Sequence, residues 1–100
     1  MAKNMILERL LGVKSRFVEV GELLTSADVM TDMKRYIKLN KEYKELKPVV
    51  EAYERYKSAL DNLDSARVLL ATEKDEEMRE MAKAEIDNLL ETIPEMEEEI

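Results

Sequence analysis

This sequence of 100 residues contains no cysteine, no histidine and no tryptophan. Without cysteine it can form neither a disulfide nor a thiolate metal site. Without histidine it also lacks the commonest general base and the commonest metal ligand of proteins. Carboxylates remain, but no loop rich in Asp, Asn and Gly gathers them as a calcium site requires. The sequence therefore predicts a protein that is not an enzyme and has no catalytic residue, metal ion or cofactor.

Glycine and proline are scarce, with two of each, whereas charged residues make up 39 % of the chain. Few such residues together with abundant Ala, Glu, Lys, Leu and Arg are typical of long helices, so we expect an all-α fold. No stretch reaches the roughly 18–20 apolar residues that a membrane span needs. Charges at Glu8, Arg9 and Lys14 interrupt the apolar residues near the amino terminus, which argues against a signal peptide. We therefore expect a soluble, cytoplasmic protein without a membrane partner.

The net charge of −7 is unevenly distributed. Residues 1–72 carry 13 basic and 11 acidic side chains, a net charge of +2, whereas residues 73–100 carry 3 basic and 12 acidic side chains, a net charge of −9. Nucleic acid repels an acidic segment. Any contact with a phosphate backbone is therefore expected within residues 1–72.

The first predicted helix has apolar residues at heptad-like steps of four and three: Ile6, Leu10, Val13, Phe17, Val20 and Leu24. Leu7, Leu11 and Val18 widen this stripe, which predicts contacts with more than one neighbouring helix. The polar segment at residues 25–28 is expected to form a loop, because Ser, Thr and Asp favour caps over helix interiors. Asp28 or Thr31 is expected to cap the next helix.

The second predicted helix extends to about Ala71 and contains Pro48. Its apolar stripe keeps the same phase on both sides of the proline: Tyr36, Leu39, Tyr43, Leu46, Val50, Tyr53, Tyr56, Leu60 and Leu63. A loop would rotate the second half of the stripe, so we expect one long helix that is bent at Pro48. The alternative is a tight break, with Pro48 in the first turn of a separate helix.

A final helix is expected after Thr72, which resembles the start of a capping box that ends at Asp75. Its stripe again has heptad-like steps: Met78, Ala82, Ile86, Leu89, Ile93, Met96 and Ile100. Pro94 is expected to kink or restart this helix. Together the patterns predict a single helical domain over residues 1–100, an elongated antiparallel arm of three long helices.

Basic residues form one face at the start of the second helix: Lys34, Arg35, Lys38, Lys41, Lys44 and Lys47. One interpretation is a contact with phosphate or with an acidic partner. The other is an ordinary solvated face, with Lys41–Glu45 and Glu51–Arg55 as i,i+4 ion pairs. The residues alone favour the second interpretation. The four tyrosines lie in the apolar stripe and are therefore expected to be core residues rather than base-stacking platforms.

Two stretches, LNKEYKELKPVVEAYERYKSAL and DEEMREMAKAEI, together resemble the amino-terminal domain of bacterial class I peptide chain release factors. The resemblance covers essentially the whole chain, including LERL in the first helix and Ser26-Ala27-Asp28 after it. The type that reads UAA and UAG is the more similar one. The sister type, which reads UAA and UGA, usually carries a tryptophan-containing segment after the first helix, and this chain has no tryptophan.

The resemblance implies an amino-terminal fragment of a longer multidomain factor, which recognises stop codons on the ribosome and triggers peptidyl-tRNA hydrolysis. In that family a codon-reading tripeptide and a Gly-Gly-Gln motif lie in later domains, and this chain has no glutamine. The implied partners are the ribosome, at the large-subunit stalk base and its rRNA, and the class II release-factor GTPase, with no role for DNA. The candidate ribosome contacts are Lys34, Arg35, Lys38 and Lys41.

Two other functions fit an antiparallel helical rod. One is a generic coiled-coil interaction module, such as a homodimer or a scaffold arm. The other is a tRNA-binding helical hairpin, which is less favoured because no strongly basic tip is visible in the sequence.

Overall fold

The computed structural model describes residues 4–100, which form four helices and no strand. These are α1 (Met5–Leu24), α2 (Ala27–Met30), α3 (Met33–Thr72) and α4 (Glu76–Glu99). The all-α prediction is confirmed, and α1, α3 and α4 are the three long helices expected from the sequence. The short helix α2 was not expected, since its residues were assigned in part to a loop.

The chain divides into two compact units, Met1–Tyr53 and Glu54–Ile100. The first unit contains α1, α2 and the amino-terminal part of α3. The second contains the rest of α3 and all of α4. A single domain over the whole chain stays a prediction.

In the first unit, α1 packs antiparallel to α3. Asn4 begins α1, since its Oδ1 accepts hydrogen bonds from the amides of Ile6 and Leu7 at 3.0 and 3.1 Å. Further along α1, the Phe17 ring stacks on Tyr43 with 4.6 Å between the ring centroids. This contact and the burial of Leu10 and Val20 confirm that the predicted stripe faces the core.

One buried cluster of the first unit takes a side chain from each of its helices, namely Val20, Val29 and Leu39. Partly buried side chains pack around these three: Leu23, Leu24, Tyr36, Tyr43 and Leu46. Leu10, Val50 and Tyr53 are also buried in this unit. The short helix α2 contributes to the cluster through Val29, which is 1 % exposed. The helical turn at residues 27–30 is therefore stabilised by the burial of this apolar side chain against α1 and α3.

The cap between α2 and α3 differs from the sequence prediction. Asp32 caps α3: its carbonyl accepts from the amide of Tyr36, and its Oδ1 accepts from the amide of Arg35 at 3.2 Å. Thr31 instead ends α2, where its hydroxyl donates to the carbonyl of Asp28 at 2.7 Å. The prediction of Asp28 or Thr31 as the cap is therefore wrong, because Thr31 bonds backwards and leaves the position to its neighbour.

Helix α3 is continuous through Pro48. Leu39 before the proline and Val50 and Tyr53 after it are all buried, so the apolar stripe keeps its phase as the sequence predicts. The alternative with a break at Pro48 is wrong. Pro48 itself is exposed, so its ring faces away from the core and the carbonyl of Lys44 lacks its usual helical donor.

In the second unit, α4 returns antiparallel to α3 after a connection of three residues, 73–75. Asp75 caps α4, because its Oδ1 accepts from the amide of Glu77 at 3.0 Å. Thr72 is still within α3, where its hydroxyl donates to the carbonyl of Val68. The predicted capping box that begins at Thr72 is therefore wrong, and only its last residue caps the helix.

Alanines, large aliphatic residues and one tyrosine fill the core of the second unit. The buried residues of its part of α3 are Tyr56, Ala59, Leu63 and Ala66, and those of α4 are Ala82, Leu89 and Ile93. Five of them lie in the apolar stripes that the sequence predicts for α4 and for α3 beyond Pro48, and only Ala59 and Ala66 lie outside these stripes. Pro94 lies inside α4, which neither ends nor restarts there.

Candidate partner-binding surface

The four predicted contact residues all lie in the first turns of α3 with exposed side chains: Lys34, Arg35, Lys38 and Lys41. Lys38 and Lys41 follow Lys34 at steps of four and seven, so these three lie on one side of the helix. Arg35 precedes the buried Leu39 by four residues and therefore borders the core side. The structure thus brings three of the four together on a solvent-exposed face and places the fourth at its edge.

The ion pairs expected to occupy this face are not formed. Within residues 4–100, neither Lys41–Glu45 nor Glu51–Arg55 is an ion pair. The same described part of the chain offers the ammonium groups of Lys34 and Lys41 no hydrogen bond or ion pair. Their charges are therefore available to a partner, which weakens the interpretation of an ion-paired solvated face.

Glu42 lies next to this basic face but is bound from the other side by α1. Arg16 donates from Nε and from Nη2 to the two carboxylate oxygens of Glu42, at 2.7 and 2.8 Å. Arg16 also binds Glu19 within α1. Such a bidentate contact fixes the geometry of both groups. This pair could not be predicted from local spacing, because its members are 26 residues apart.

The same contact changes the titration of both groups. The hydrogen bond from Arg16 holds the pKa of Glu42 below its ordinary value. Burial opposes this shift, and the positive charges of Arg16 and Lys38 add smaller contributions that lower the pKa. The hydrogen bonds that Arg16 donates to Glu42 raise the pKa of Arg16 above its ordinary value. Glu42 is therefore ionised at neutral pH, and its ion pair is with Arg16.

Three apolar side chains beside the lysines are also exposed, and the sequence reasoning missed them. Met30, Met33 and Ile37 are 67 %, 65 % and 62 % exposed. Met33 and Ile37 are four residues apart and do not share the spacing of the buried stripe. This spacing could have predicted from the sequence that they are exposed. The exposed face of α3 is thus basic and apolar together.

Helix α1 also has exposed apolar side chains. The prediction that α1 contacts more than one helix is confirmed, because α1 contacts both α2 and α3. Of the residues that widen its stripe, Leu7 is partly buried, whereas Leu11 and Val18 are 58 % and 50 % exposed. Gly12 lies beside them, and a side chain there would meet nothing within 4 Å.

The second unit holds an open groove between its two helices, with the apolar side chains Ala59, Leu89 and Met96 among polar ones. Across residues 4–100, no group of three or more His, Cys, Asp or Glu residues could hold a metal ion. Over the same residues, no helix is long and apolar enough to cross a membrane.

The sequence matches the model of the PCRF domain over residues 13–100. It is 50 % identical over 100 residues to peptide chain release factor 1 of Parabacteroides distasonis, covering 100 % of this chain and 27 % of that protein. Peptide chain release factor 1 of Bacteroides fragilis is 50 % identical over 97 residues, covering 97 % of this chain and 26 % of the relative. The protein of that name from Flavobacterium johnsoniae is 46 % identical over 95 residues, covering 95 % and 26 %.

The chain therefore spans about a quarter of the length of the curated relatives that it matches. No solved structure matches it significantly. The matches confirm the resemblance to release factors of the type that reads UAA and UAG. The chain belongs to the PCRF domain family.

Proposed function

We propose that this chain is the amino-terminal domain of a translation termination factor and acts there as a contact arm without chemistry of its own. The observation that carries the proposal is the identity of half of all residues, over the full length of this chain, with peptide chain release factor 1 of Parabacteroides distasonis. The protein that contains this chain would recognise the stop codons UAA and UAG on the ribosome. It would also trigger hydrolysis of peptidyl-tRNA.

The reaction would lie outside these residues. The chain has no glutamine, so it cannot contain the Gly-Gly-Gln motif that the family uses. It also lacks histidine and cysteine, which leaves no nucleophile paired with a general base. What the chain offers to a partner is an exposed, charged helical surface.

The proposed contact is the large ribosomal subunit, at the stalk base and its rRNA, with the class II release-factor GTPase as a second partner. The proposed contact residues are Lys34, Arg35, Lys38 and Lys41. All four are exposed on α3, and Glu42 beside them is bound by Arg16. An exposed cluster of lysines attracts phosphate groups and acidic proteins over a distance of about 10 Å at ordinary salt concentrations.

The test uses the product of the full reading frame and 70S ribosomes with a stop codon in the decoding site. Replacing Lys34, Lys38 and Lys41 by Glu is expected to raise the Kd by at least about tenfold, because three attractive charges become repulsive. The dependence of log Kd on log salt concentration should become shallower.

A matched control carries the same change of charge elsewhere on the chain. Lys57, Arg67 and Lys74 are exposed and lie outside the proposed surface, and their replacement by Glu should change the Kd by less than about threefold. An unchanged Kd for the Lys34, Lys38 and Lys41 variant would remove these residues from the proposed contact. Equal losses in both variants would show a general charge effect and would contradict a local site.

The second candidate function is a self-associating helical module, and one observation favours it. Leu11 and Val18 leave an apolar face of α1 uncovered, and such faces mark interaction sites when they are contiguous. Light scattering on the chain distinguishes the two functions. A dimer that dissociates when Leu11 and Val18 are replaced by Ser supports the module, whereas a monomer excludes it.

A further inference from the structure

We propose that the exposed side of the first turns of α3 docks an acidic protein segment that presents an apolar side chain between carboxylates. We call this area the α3 docking surface and define it by five residues: Met30, Met33, Lys34, Ile37 and Lys41. The inference rests on the proposed function, since it names the chemistry of the partner that the same part of α3 would contact.

The geometry of a helix makes the surface contiguous. Ile37 follows Met33 by four residues and Lys34 by three, and it precedes Lys41 by four. Residues at these spacings are neighbours on the surface of an α-helix. Ile37 therefore lies in the middle of the surface, and its neighbours on the helix are Met33, Lys34 and Lys41. Met30, at the end of α2, continues the apolar area past the start of α3.

The apolar members of the surface do not contribute to the core of the chain. Met30, Met33 and Ile37 are each more than 60 % exposed, whereas Leu39 on the opposite side of α3 is 7 % exposed. Their burial by a partner would remove apolar area from water, which favours association. The two methionines are flexible and can adapt to the shape of the partner.

The charges around the apolar residues select an acidic partner. Lys34, Lys38, Lys41 and Lys44 are exposed on this part of α3. Of the carboxylates nearby, Glu42 is bound by Arg16, and Asp32 accepts a hydrogen bond from the amide of Arg35 at the start of the helix. Asp28 and Glu45 are also exposed, so together with Asp32 three carboxylates stand against the four lysines and Arg35. The balance is positive, so carboxylates on the partner would be attracted and basic groups repelled.

The mixture of apolar and basic groups favours protein over RNA. A phosphate backbone is bound by lysines alone and requires no exposed isoleucine beside them. Unpaired bases are bound by stacking on aromatic rings, and the aromatic residues of this part of α3, Tyr36 and Tyr43, pack against the core instead. Interfaces between proteins combine buried apolar side chains with a charged rim, and that is the arrangement around Ile37.

The experiment separates the apolar contribution from the charge. It uses the product of the full reading frame and 70S ribosomes with a stop codon in the decoding site. One variant replaces Met33 and Ile37 by Ser and keeps every charge, while another replaces Lys34 and Lys41 by Gln and keeps every apolar side chain. Val68 and Met81, which are 62 % and 65 % exposed, are replaced by Ser as the matched control.

The Met33 and Ile37 variant is expected to raise the Kd by at least about tenfold without changing its salt dependence. The Lys34 and Lys41 variant should raise the Kd and make the salt dependence shallower. The control should stay within about threefold of the unmodified protein. A photoreactive benzoylphenylalanine at residue 37 should crosslink to a protein of the complex rather than to rRNA.

Two results would overturn the inference. One is an unchanged Kd for the Met33 and Ile37 variant, and the other is a crosslink from residue 37 to rRNA. If charge reversal at Lys34, Lys38 and Lys41 still weakens binding in that case, the proposed function stands and the contact is with phosphate. If neither the apolar nor the lysine variants alter binding, the proposed contact fails together with the inference.

Discussion

The hydroxyl of Tyr56 donates a hydrogen bond to Oε2 of Glu97 at 2.6 Å. The ring of Tyr56 is completely buried, whereas Glu97 lies on the exposed side of α4. The bond therefore joins the core of the second unit to its surface and holds α3 and α4 together near the end of α4. Because its acceptor is a carboxylate, it is stronger than a bond between neutral groups.

Replacing Tyr56 by Phe is expected to lower the free energy of unfolding by about 1–2 kcal/mol, because the ring still fills the core while the hydrogen bond is lost. Urea denaturation followed by circular dichroism measures the change. Tyr36→Phe is the control, since the Tyr36 hydroxyl has no hydrogen bond within the described residues, and its effect should be smaller. Equal effects of the two variants would contradict a stabilising Tyr56–Glu97 bond.

The Arg16–Glu42 pair predicts a pH dependence of stability. The pKa of Glu42 is lower in the folded chain than its ordinary value of 4.5. The contribution of the pair is therefore present above about pH 4.5 and is lost as the pH falls through the folded-state pKa. Arg16→Met should reduce stability at neutral pH and flatten the loss of stability on acidification, measured by urea denaturation at several pH values.

The exposed Lys83–Glu80 pair, 3.5 Å apart within α4, provides the control for this prediction. Lys83→Met should change the stability at neutral pH by no more than about 0.5 kcal/mol. It should also leave the acid dependence as it is in the unmodified chain. An Arg16→Met variant with an unaltered acid dependence would show that the pair does not couple folding to the ionisation of Glu42.

Arg79 joins the two helices of the second unit at their connection. Its Nη1 donates to the carbonyl of Leu70 in the last turn of α3 and to that of Glu73 at 3.3 Å. Because a charged donor satisfies two carbonyls that have no helical partner, Arg79→Met should cost about 1–2 kcal/mol of stability. Arg67→Met, at an exposed position of α3, should cost less than about 0.5 kcal/mol. Equal losses of stability in the two variants would show that the hydrogen bonds of Arg79 do not stabilise the fold.

The cap of α4 can be tested by two alanine substitutions. Asp75→Ala removes the side chain that accepts from the amide of Glu77 and should cost about 1 kcal/mol. Thr72→Ala should cost less than about 0.5 kcal/mol, because alanine favours the helix in which Thr72 lies. Thermal unfolding of both variants checks the order, and a larger loss for Thr72→Ala would favour the capping box.

The periodicity of apolar residues was sufficient to predict the long helices. Leu39, Val50 and Tyr53 repeat at nearly helical spacing, and the requirement to bury one face leaves little freedom in where that face points. The same argument predicted that α3 continues through Pro48. Helix ends were harder to predict, because Thr31 and Asp32 are both good caps and the choice depends on which backbone groups each one reaches.

The candidate site was only partly predictable. The exposed lysines followed from the sequence, since Lys34 and Lys41 lie opposite the apolar stripe. The binding of Glu42 by Arg16 could not be foreseen, because it depends on how α1 is aligned with α3 rather than on local spacing. The exposure of Ile37 and Val18 depends on which faces find a neighbour, and composition does not determine that.

Pro48 also affects how α3 forms during folding. A helix grows from a nucleus by adding one hydrogen bond for each residue that becomes ordered. At Pro48 one step orders a residue without adding a bond, because proline has no amide to donate to the carbonyl of Lys44. Growth of α3 from the Met33 end should therefore slow at Pro48, because this step costs the ordering of one residue without the gain of a hydrogen bond.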